Sequence, residues 1–596
     1  MDSLFRYEEH KCIKVLAALA SLFLTALAGF LLYESIRFTG VNAVGEERVE
    51  LLSDAPRMRI LQLFVFALIL FACSILGRIL RLRLGEAGFR VAARRGIRIL
   101  TAAVLILVPL TCEILLRMTD QGLLPDDTGI CWSTAMQFAD GDYSMLEHLG
   151  YLARYPQQLG IVALDELLLR LFGQEGYGVF FRINALFYVF LILGGTRLTA
   201  LLAGEERRPS AEGIWLLLCL CNLPLFFYVN YQYGEVASAM GLVLTAWAVA
   251  EFERAERIRD RVLCCAAGFA ALAVGVLLRR NTVLVVIAAV AVLLLEALAT
   301  RRLRDLVLAG VLVLAAFLPF FLLSEYYAAR SGVRTQEGMS PYLHITMGLE
   351  DDWNGPGWYT NRNQEIYFAY DGDREICEQV AKDRIRQQLS DLRQDPAAAR
   401  DFLKRKLLTQ WAEPSYDSLF CTFHPKGDGS GGDAFAESLT REPRSGRLWS
   451  FLNGYQALVY FGFLLYACGA ATALLRRKGW EAYTPLKWTA GILLLGGFAF
   501  SILWEAKSRY IVEYETLMLP LAAVGLAGLT GTFGRLLGGA EEAGADGSHD
   551  GGGAGRRGGY GGADPGKRGG SGGRGNGAGT AGNRRTGNPR NRKERK

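Results

Sequence analysis

The chain has 596 residues, of which 51% are hydrophobic, and its mean hydropathy is positive, at +0.20. This composition excludes an ordinary water-soluble protein and assigns the chain to a lipid bilayer. The formal net charge is +6, but most Lys and Arg residues lie in short runs between apolar segments, where membrane topology explains them better than nucleic-acid binding does.

The apolar segments predict an all-α polytopic membrane protein. The first begins after Lys11 and Lys14, as a signal peptide would, but it continues to Tyr33 and therefore predicts an uncleaved helix. About twelve stretches are long enough to cross about 30 Å of hydrocarbon, and they lie at 13–33, 60–77, 98–116, 179–202, 211–229, 235–252, 262–278, 281–299, 306–327, 451–475, 487–504 and 514–533.

The basic loops predict the orientation of the chain in the membrane. The loop between the second and third stretches carries a single acid, Glu86, against seven arginines: Arg78, Arg81, Arg83, Arg90, Arg94, Arg95 and Arg98. Because cytoplasmic loops hold the excess of Lys and Arg, this loop and both chain termini are placed in the cytoplasm of a multi-pass cell-membrane protein.

This topology requires that the apolar stretch 157–173 does not cross the membrane. Asp165, Glu166 and Arg170 interrupt the stretch, while its leucines recur at helical spacing, so an amphipathic helix on the outer surface is predicted. The alternative is a short spanning helix with buried charges, which would invert every later loop.

The topology divides the chain into consecutive regions. They are 1–97, two N-terminal membrane helices and the basic loop; 98–327, a membrane core with a first external acidic loop at 117–178; 328–450, an external, mostly helical insert; 451–537, the C-terminal membrane helices; and 538–596, a Gly/Arg-rich tail. Within the insert, helices are predicted around 374–394 and 397–411. The tail is expected to be disordered and cytoplasmic, either as a solvated basic segment or as a binder of RNA or anionic lipid.

Three of the 11 cysteines, Cys131, Cys377 and Cys421, fall in predicted external regions. A bridge between Cys377 and Cys421 stays open as an alternative, because connectivity does not follow from sequence.

The first external loop carries adjacent acids, Asp126 and Asp127, just beyond a membrane helix. Such a pair accepts a proton from a sugar hydroxyl or coordinates a divalent cation, and the sequence leaves both uses open. No cofactor is assigned. The structural alternative is a solvated pair in an ordinary turn after Pro125.

Further charged residues are predicted near the outer membrane surface, at about the depth of Asp126 and Asp127. They are Glu235, Arg154, Arg182, Arg279, Arg280, Lys507 and Arg509. Guanidinium groups bind phosphate bidentately, so a phosphate near the outer surface accounts for arginines that break the positive-inside pattern. The alternative for any one of them is contact with lipid head groups.

The donor follows by elimination. No cytoplasmic loop is long enough to fold a nucleotide-binding domain, so a nucleotide sugar is not expected. A reactant with a phosphate leaving group at the outer face is most simply membrane-borne, and a sugar on a polyprenyl phosphate meets that description.

The chain resembles the GT-C superfamily of membrane glycosyltransferases, in particular family 39-like enzymes related to protein O-mannosyltransferases and aminoarabinose transferases. The resemblance covers roughly 98–533 and rests on "PDDTGICWSTAMQFADGDY", "YPQQLGIVALDELLLRLFG" before "FRINALFYVF", "YGE", "LLRRN", "MGL" before "GPGWYTNRN", "KLLTQWAEPSY" and "LWEAKSRYIVEY".

The resemblance implies an inverting transfer of a sugar from a polyprenyl phosphate to a cell-envelope polymer, lipid or protein. Asp127 would be the general base, assisted by Asp126, and Glu235 would orient substrate hydroxyls. Arg154, before Tyr155 and Pro156, would lie near the lipid phosphate, although Tyr155-Pro156-Gln157 replaces the usual paired prolines. The leaving phosphate would be stabilised by Arg279, Arg280, Lys507 and Arg509.

Two other functions stay open. Twelve helices also suit a polytopic transporter or lipid flippase, although no internal repeat supports that reading. A non-catalytic envelope scaffold is the third alternative. Nucleic acid is not expected as a partner.

Overall fold

The computed structural model of the chain describes residues 11–42, 48–53, 56–118, 126–422, 446–475 and 485–546. Residues Met1–Gly539 belong to one compact unit, and the second unit, Ala540–Lys596, is described only over the helical residues 540–546. The described part is mostly helical and contains two short pairs of strands. The all-α prediction is confirmed for the helices but omitted these strands.

Helices account for most of the regular structure. In chain order they are α1 (Lys11–Arg37), α2 (Pro56–Met118), α3 (Asp126–Asp140), α4 (Tyr151–Arg154), α5 (Leu159–Phe172), α6 (Gly176–Cys221), α7 (Leu223–Val229), α8 (Glu235–Arg254), α9 (Ile258–Leu278), α10 (Val283–Thr300), α11 (Leu303–Ser331), α12 (Pro341–Gly348), α13 (Arg362–Ala369), α14 (Arg374–Gln394), α15 (Pro396–Trp411), α16 (Ser418–Thr422), α17 (Arg447–Leu475), α18 (Pro485–Leu503) and α19 (Val512–Asp546). The strands are β1 (Phe38–Asn42), β2 (Val49–Ser53), β3 (Asp351–Asp352) and β4 (Gly355–Pro356), paired antiparallel as β1 with β2 and β3 with β4.

Nine helices in the described ranges are long and apolar enough to cross a membrane, so this is a multi-pass membrane protein. They are Ala18–Arg37, Pro56–Arg117, Pro156–Cys221, Glu235–Arg254, Ile258–Leu278, Arg280–Leu298, Leu303–Ser331, Arg447–Ala473 and Ser508–Gly534. Non-helical backbone at Gly85 divides α2, and at Gly204 it divides α6. These nine helices, with the shorter apolar helix Ala490–Leu503, overlap all the predicted stretches. The count of about twelve spans remains a prediction.

The region predicted as an acidic loop, 117–178, is largely helical. Asp126 and Asp127 are the first two residues of α3, where the helix dipole favours negative charge. α5 occupies the predicted amphipathic stretch and ends at Gly173, whose φ of 63° stops the helix. Its position on the membrane surface remains a prediction.

The polar residues of α5 face the protein. Asp165 is buried and accepts a 2.7 Å hydrogen bond from Gln232 Nε2. Glu166 is also buried; it accepts a 2.6 Å hydrogen bond from the Tyr327 hydroxyl and pairs with Arg330 Nη2 at 2.9 Å. Glu166 is therefore paired with a neighbouring helix, α11, whereas Asp165 has one polar partner and its Oδ2 has none.

α8 lies in the core and packs closely on α9 and α6. A Cβ atom at Gly241 would lie 3.3 Å from the Cα of Gly275, so these two glycines let the backbones of α8 and α9 approach each other. The close approach continues to the start of α8 and the end of α9, where the candidate site is located.

The insert contains the helices that the sequence predicts, α14 and α15. Their N-termini are capped by aspartates: Asp373 accepts from Ile376 N, and Asp395 accepts from Ala397 N and Ala398 N. The division of the chain into an insert and flanking membrane regions remains a prediction.

The cysteines whose side chains the structure describes, Cys377 and Cys421 among them, are free. The Cys377 thiol lies 3.8 Å from Ile366 O, whereas the Cys421 thiol lies 3.9 Å from Asp417 Oδ2. The bridge considered between Cys377 and Cys421 is therefore not formed.

The predicted tail, 538–596, lies outside the described residues from residue 547 onward.

Candidate active site

Asp127 lies in the first turn of α3 with a partly exposed side chain. The Tyr151 hydroxyl donates a 3.1 Å hydrogen bond to Asp127 Oδ1. Burial raises the pKa of Tyr151, and the neighbouring Cys131 and Asp127 add to this effect, so the phenol remains protonated as the donor. No basic side chain in the described ranges pairs with Asp127. The carboxylate thus keeps free accepting capacity. The side chain of Asp126 lies outside the described part.

Glu235 and Arg279 form the centre of a buried charge cluster. Arg279 Nη1 pairs with Glu235 Oε1, and its Nε lies 2.6 Å from Glu513 Oε1, with all three side chains at most 5% exposed. The pairing depends on Gly234, because a Cβ atom there would lie 2.2 Å from Leu278 O. The charge of Arg279 is therefore compensated by two carboxylates, while its Nε and Nη2 have no hydrogen-bond partner.

Arg509 is buried and has a different environment. Its Nη1 donates a 3.1 Å hydrogen bond to the Tyr231 hydroxyl, and its Nε has no hydrogen-bond partner. No carboxylate of the described chain forms an ion pair with it. Arg509 therefore has an uncompensated charge and an unused donor, which together favour an anionic ligand.

Tyr233 connects these parts of the site. Its ring centroid lies 5.4 Å from the guanidinium carbon of Arg509 and 5.9 Å from that of Arg279. Gln158 Nε2 donates a hydrogen bond to its hydroxyl. Burial raises the pKa of Tyr233, and Asp127 adds to the increase while Arg509 and Arg279 oppose it. The carboxylate of Asp127 and both guanidiniums thus act electrostatically on one phenol.

Arg154 and Tyr155 contact the insert. Arg154 Nη1 donates to Gln364 Oε1, and Gln364 Nε2 donates a 2.7 Å hydrogen bond to the Tyr359 hydroxyl. Asn363 Nδ2 lies 3.3 Å from the Tyr155 hydroxyl. These contacts tie the segment after α4 to the start of α13.

Lys507 lies over the Tyr359 ring, with its Nζ 5.1 Å from the ring centroid. Two residues earlier, Glu505 accepts a 2.6 Å hydrogen bond from the Tyr510 hydroxyl and pairs with His344 Nδ1 at 3.1 Å. Burial alone would raise the pKa of Glu505, but the His344 contact, together with the Lys507 charge and the Tyr510 hydroxyl, lowers it to about 2. Glu505 is therefore a charged, fixed neighbour of Lys507.

The insert also holds the backbone of the segment that carries Lys507 and Arg509. Ala506 N donates a 2.7 Å hydrogen bond to Gly357 O. The buried Lys406 Nζ donates to Gly348 O, to Ile502 O at 2.9 Å and to Trp504 O at 2.7 Å. Lys406 thus satisfies the last carbonyls of two helices, α12 and α18.

Two of the predicted cations lie elsewhere. Arg182 is exposed and pairs with Glu113 at 3.1 Å. Arg280 packs over Phe320 of α11, with its guanidinium carbon 5.0 Å from the ring centroid. Neither side chain contacts the described members of the cluster around Arg279.

Several contributors were not predicted from sequence. Glu505 and Glu513 stand in the quoted motif "LWEAKSRYIVEY", next to the predicted cations, and that proximity was the available signal. Tyr233 likewise stands in the motif "YGE", next to Glu235. Tyr151 had no comparable signal, because a tyrosine is more often part of the core.

A divalent cation is not assigned here. In the described ranges no group of three or more His, Cys, Asp or Glu side chains is arranged to hold a metal ion.

Two solved membrane proteins are similar to this chain. One is the archaeal oligosaccharyltransferase AglB from Archaeoglobus fulgidus, in complex with an inhibitory peptide and a dolichol-phosphate; the TM-score is 0.37 and the identity 12%, over 74% of this chain and 52% of that one. The other is ArnT from Cupriavidus metallidurans bound to undecaprenyl phosphate, with a TM-score of 0.29 and an identity of 15%, over 75% of this chain and 80% of that one. The chain spans about half of the length of the archaeal protein. No protein-family model and no curated protein matches the sequence.

Proposed function

We propose that this protein is a glycosyltransferase that moves a sugar from a polyprenyl phosphate to a hydroxyl group of a cell-envelope acceptor, with inversion at the anomeric carbon. The resemblance of its motifs to family 39-like enzymes supports the reaction class. The arrangement of charges in the site supports the roles of individual residues.

One observation carries the proposal: among the described residues, a partly exposed carboxylate without a basic partner and a buried guanidinium without a carboxylate partner act on the same phenol. The first is Asp127, the second is Arg509, and the phenol is Tyr233. A base that removes a proton must not be neutralised by an ion pair, and a cation that receives a phosphate must have unused donors.

The chemistry assigns one role to each group. Asp127 takes the proton of the acceptor hydroxyl as its oxygen bonds to the anomeric carbon. The bond between that carbon and the phosphate oxygen breaks, and polyprenyl phosphate leaves with the electron pair. Arg509 and Lys507 stabilise the negative charge that develops on the leaving phosphate. Attack opposite the leaving group produces the inversion.

The remaining site residues position these groups. Arg279 holds Glu235 and Glu513 together, which fixes the start of α8 next to the start of α19. Arg154 and Tyr155 orient the lipid phosphate from the side of the insert, and Asp126 adds negative charge beside the base. Arg182 and Arg280 have no direct role in this scheme because of the contacts that they make.

The proposal also includes the orientation of the chain in the membrane. The site faces the outside of the cell membrane, and both chain termini lie in the cytoplasm, as the basic loop 78–98 indicates. Labelling of single cysteines by a membrane-impermeant thiol reagent in intact cells tests this. Modification at exposed position Asp352, and none at exposed position Arg94, is expected.

Transfer is tested with purified protein in liposomes, a labelled polyprenyl-phosphate sugar and an envelope extract as acceptor. Asp127→Asn is expected to lower the rate about 10²–10⁴-fold, the range for loss of a general base. Arg509→Gln is expected to lower it about 10²–10³-fold, the range for loss of one charge-stabilising donor. Arg182→Gln, a change of the same kind at an exposed ion pair, is the matched control.

Different results would point to other functions. Retention of transfer in Asp127→Asn would remove Asp127 as the base. Movement of the labelled lipid across the liposome membrane without a covalent product would favour the transporter or flippase alternative.

A further inference from the structure

A long apolar groove lies away from the site described above. It is a cavity of about 1050 Å³ between α2, α6, α17 and α19, and none of the residues that line it belongs to the cluster of Asp127, Arg279 and Arg509. On α2, its lining includes Leu63, Phe66 and Leu70, which recur at helical spacing. The groove is therefore a continuous apolar strip between helices, separate from the candidate active site.

One end of the groove is basic. Arg78, Arg81 and Arg207 line this end, against a single acidic residue, Glu206. The guanidinium of Arg81 stacks on Phe89, 4.7 Å from the ring centroid, and no carboxylate in the described ranges pairs with Arg81 or Arg207. Two arginines with uncompensated charge at the end of an apolar groove complement a ligand with a phosphate head and an apolar chain.

Glycines keep the groove open near this end. A Cβ atom at Gly77, Gly531 or Gly534 would meet nothing within 4 Å. Glycine in a helix costs about 1 kcal/mol relative to alanine, and here three of them leave the wall without side chains. The guanidinium of Arg207 lies against the same wall, 3.4 Å from the position of a Cβ atom at Gly528.

The lining of the groove on α2 extends from Arg81 back to Leu61, about 30 Å, and its part from Arg81 to Ile69 extends about 18 Å. One leaflet with its head groups is about 20 Å thick. A phosphate held by Arg81 and Arg207 would thus place the acyl chains along the apolar residues of the groove up to about Ile69.

We propose that this groove binds an anionic glycerophospholipid, with its phosphate at Arg81 and Arg207 and its acyl chains against Gly77 and Gly531. The site is distinct from that of the sugar donor, and the proposal does not depend on the proposed function.

Native mass spectrometry of the full-length protein tests this. The detergent-purified protein is mixed with phosphatidylglycerol, phosphatidylcholine or a polyprenyl phosphate, and retained lipid is counted. We expect phosphatidylglycerol to be retained in preference to the other two. Arg81→Gln/Arg207→Gln is expected to weaken the retention of phosphatidylglycerol about 25-fold, since each basic residue near a membrane phosphate raises the affinity about fivefold. Arg94→Gln/Arg95→Gln, two exposed arginines of α2 outside the lining of the groove, should leave retention unchanged.

A second variant blocks the apolar part of the groove. Gly531→Phe places a ring into open space within the groove and should abolish retention, whereas Gly310→Phe, at an open position on α11, should not. Unchanged retention in Arg81→Gln/Arg207→Gln, or in Gly531→Phe, would overturn the proposal. Preferred retention of phosphatidylcholine would overturn the assignment of an anionic lipid, and preferred retention of the polyprenyl phosphate that of a glycerophospholipid.

Discussion

Removal of Arg279 should destabilise the protein more than removal of any exposed arginine. Arg279→Met leaves the carboxylates of Glu235 and Glu513 facing each other, in a place where their side chains are 1% and 3% exposed. Loss of one partner of a buried ion pair costs about 3–5 kcal/mol, because the remaining charge is neither solvated nor paired. Against a typical total of about 5–15 kcal/mol, this is a large share of the folding free energy.

A variant in which the whole cluster is neutral separates stability from catalysis. Glu235→Gln/Arg279→Met/Glu513→Gln removes all three charges and should recover most of the stability, since similar replacements of buried ion pairs are often neutral. Transfer should still fall about 10²-fold, because α8 and α19 lose the contact that positions Arg509, and a small misplacement has an effect of that size. Thermal unfolding in detergent and the liposome transfer assay measure the two effects. An unchanged unfolding midpoint in Arg279→Met, or full transfer by the neutral variant, would refute this reasoning.

Three further predictions concern single residues. Gly234→Ala should lower both stability and transfer, because its Cβ atom would lie 2.2 Å from Leu278 O and push α8 away from α9; Gly310→Ala, at an open helical position, should lower neither. Stability should fall as pH drops from about 4.5 to about 2, because the lowered pKa of Glu505 means that the unfolded chain takes up a proton before the folded one does. Glu505→Gln should flatten the pH profile of unfolding in that window, and an identical slope would contradict this. Arg182→Ala should leave the transfer rate within about twofold of the original, since its exposed ion pair is worth little.

The helices could be predicted from sequence because their signals are local. The predicted helix at 374–394 matches α14, where Asp373 supplies the cap and the polar pattern excludes a membrane span. The hairpin of β1 and β2 was missed. Its strands are five residues each, Phe38–Asn42 and Val49–Ser53, and neither has the regular alternation that indicates a half-buried strand.

The site could be predicted only in part, because its contacts join distant segments. Arg279 and Arg509 lie in segments predicted to be external, where basic residues are uncommon, and this indicated them as cations near the outer surface. This signal could not indicate that Arg279 is paired with Glu513, which lies 234 positions further along the chain, nor that Arg509 has no carboxylate partner in the described ranges. These two environments differ by tertiary packing alone. Arg182 and Arg280 had the same sequence signal and lie apart from the cluster for the same reason.

The insert contributes directly to the cationic part of the site. Lys406 donates to three carbonyl groups and Gly357 O accepts from Ala506 N, so the short segment between α18 and α19 is fixed by residues of the insert. This segment carries Lys507 and Arg509, and its backbone cannot shift without breaking those hydrogen bonds. In the proposed reaction, the insert would bind the acceptor next to the cations that stabilise the leaving phosphate. Because one set of hydrogen bonds connects both regions, acceptor binding and phosphate stabilisation would be coupled through the backbone from Glu505 to Arg509.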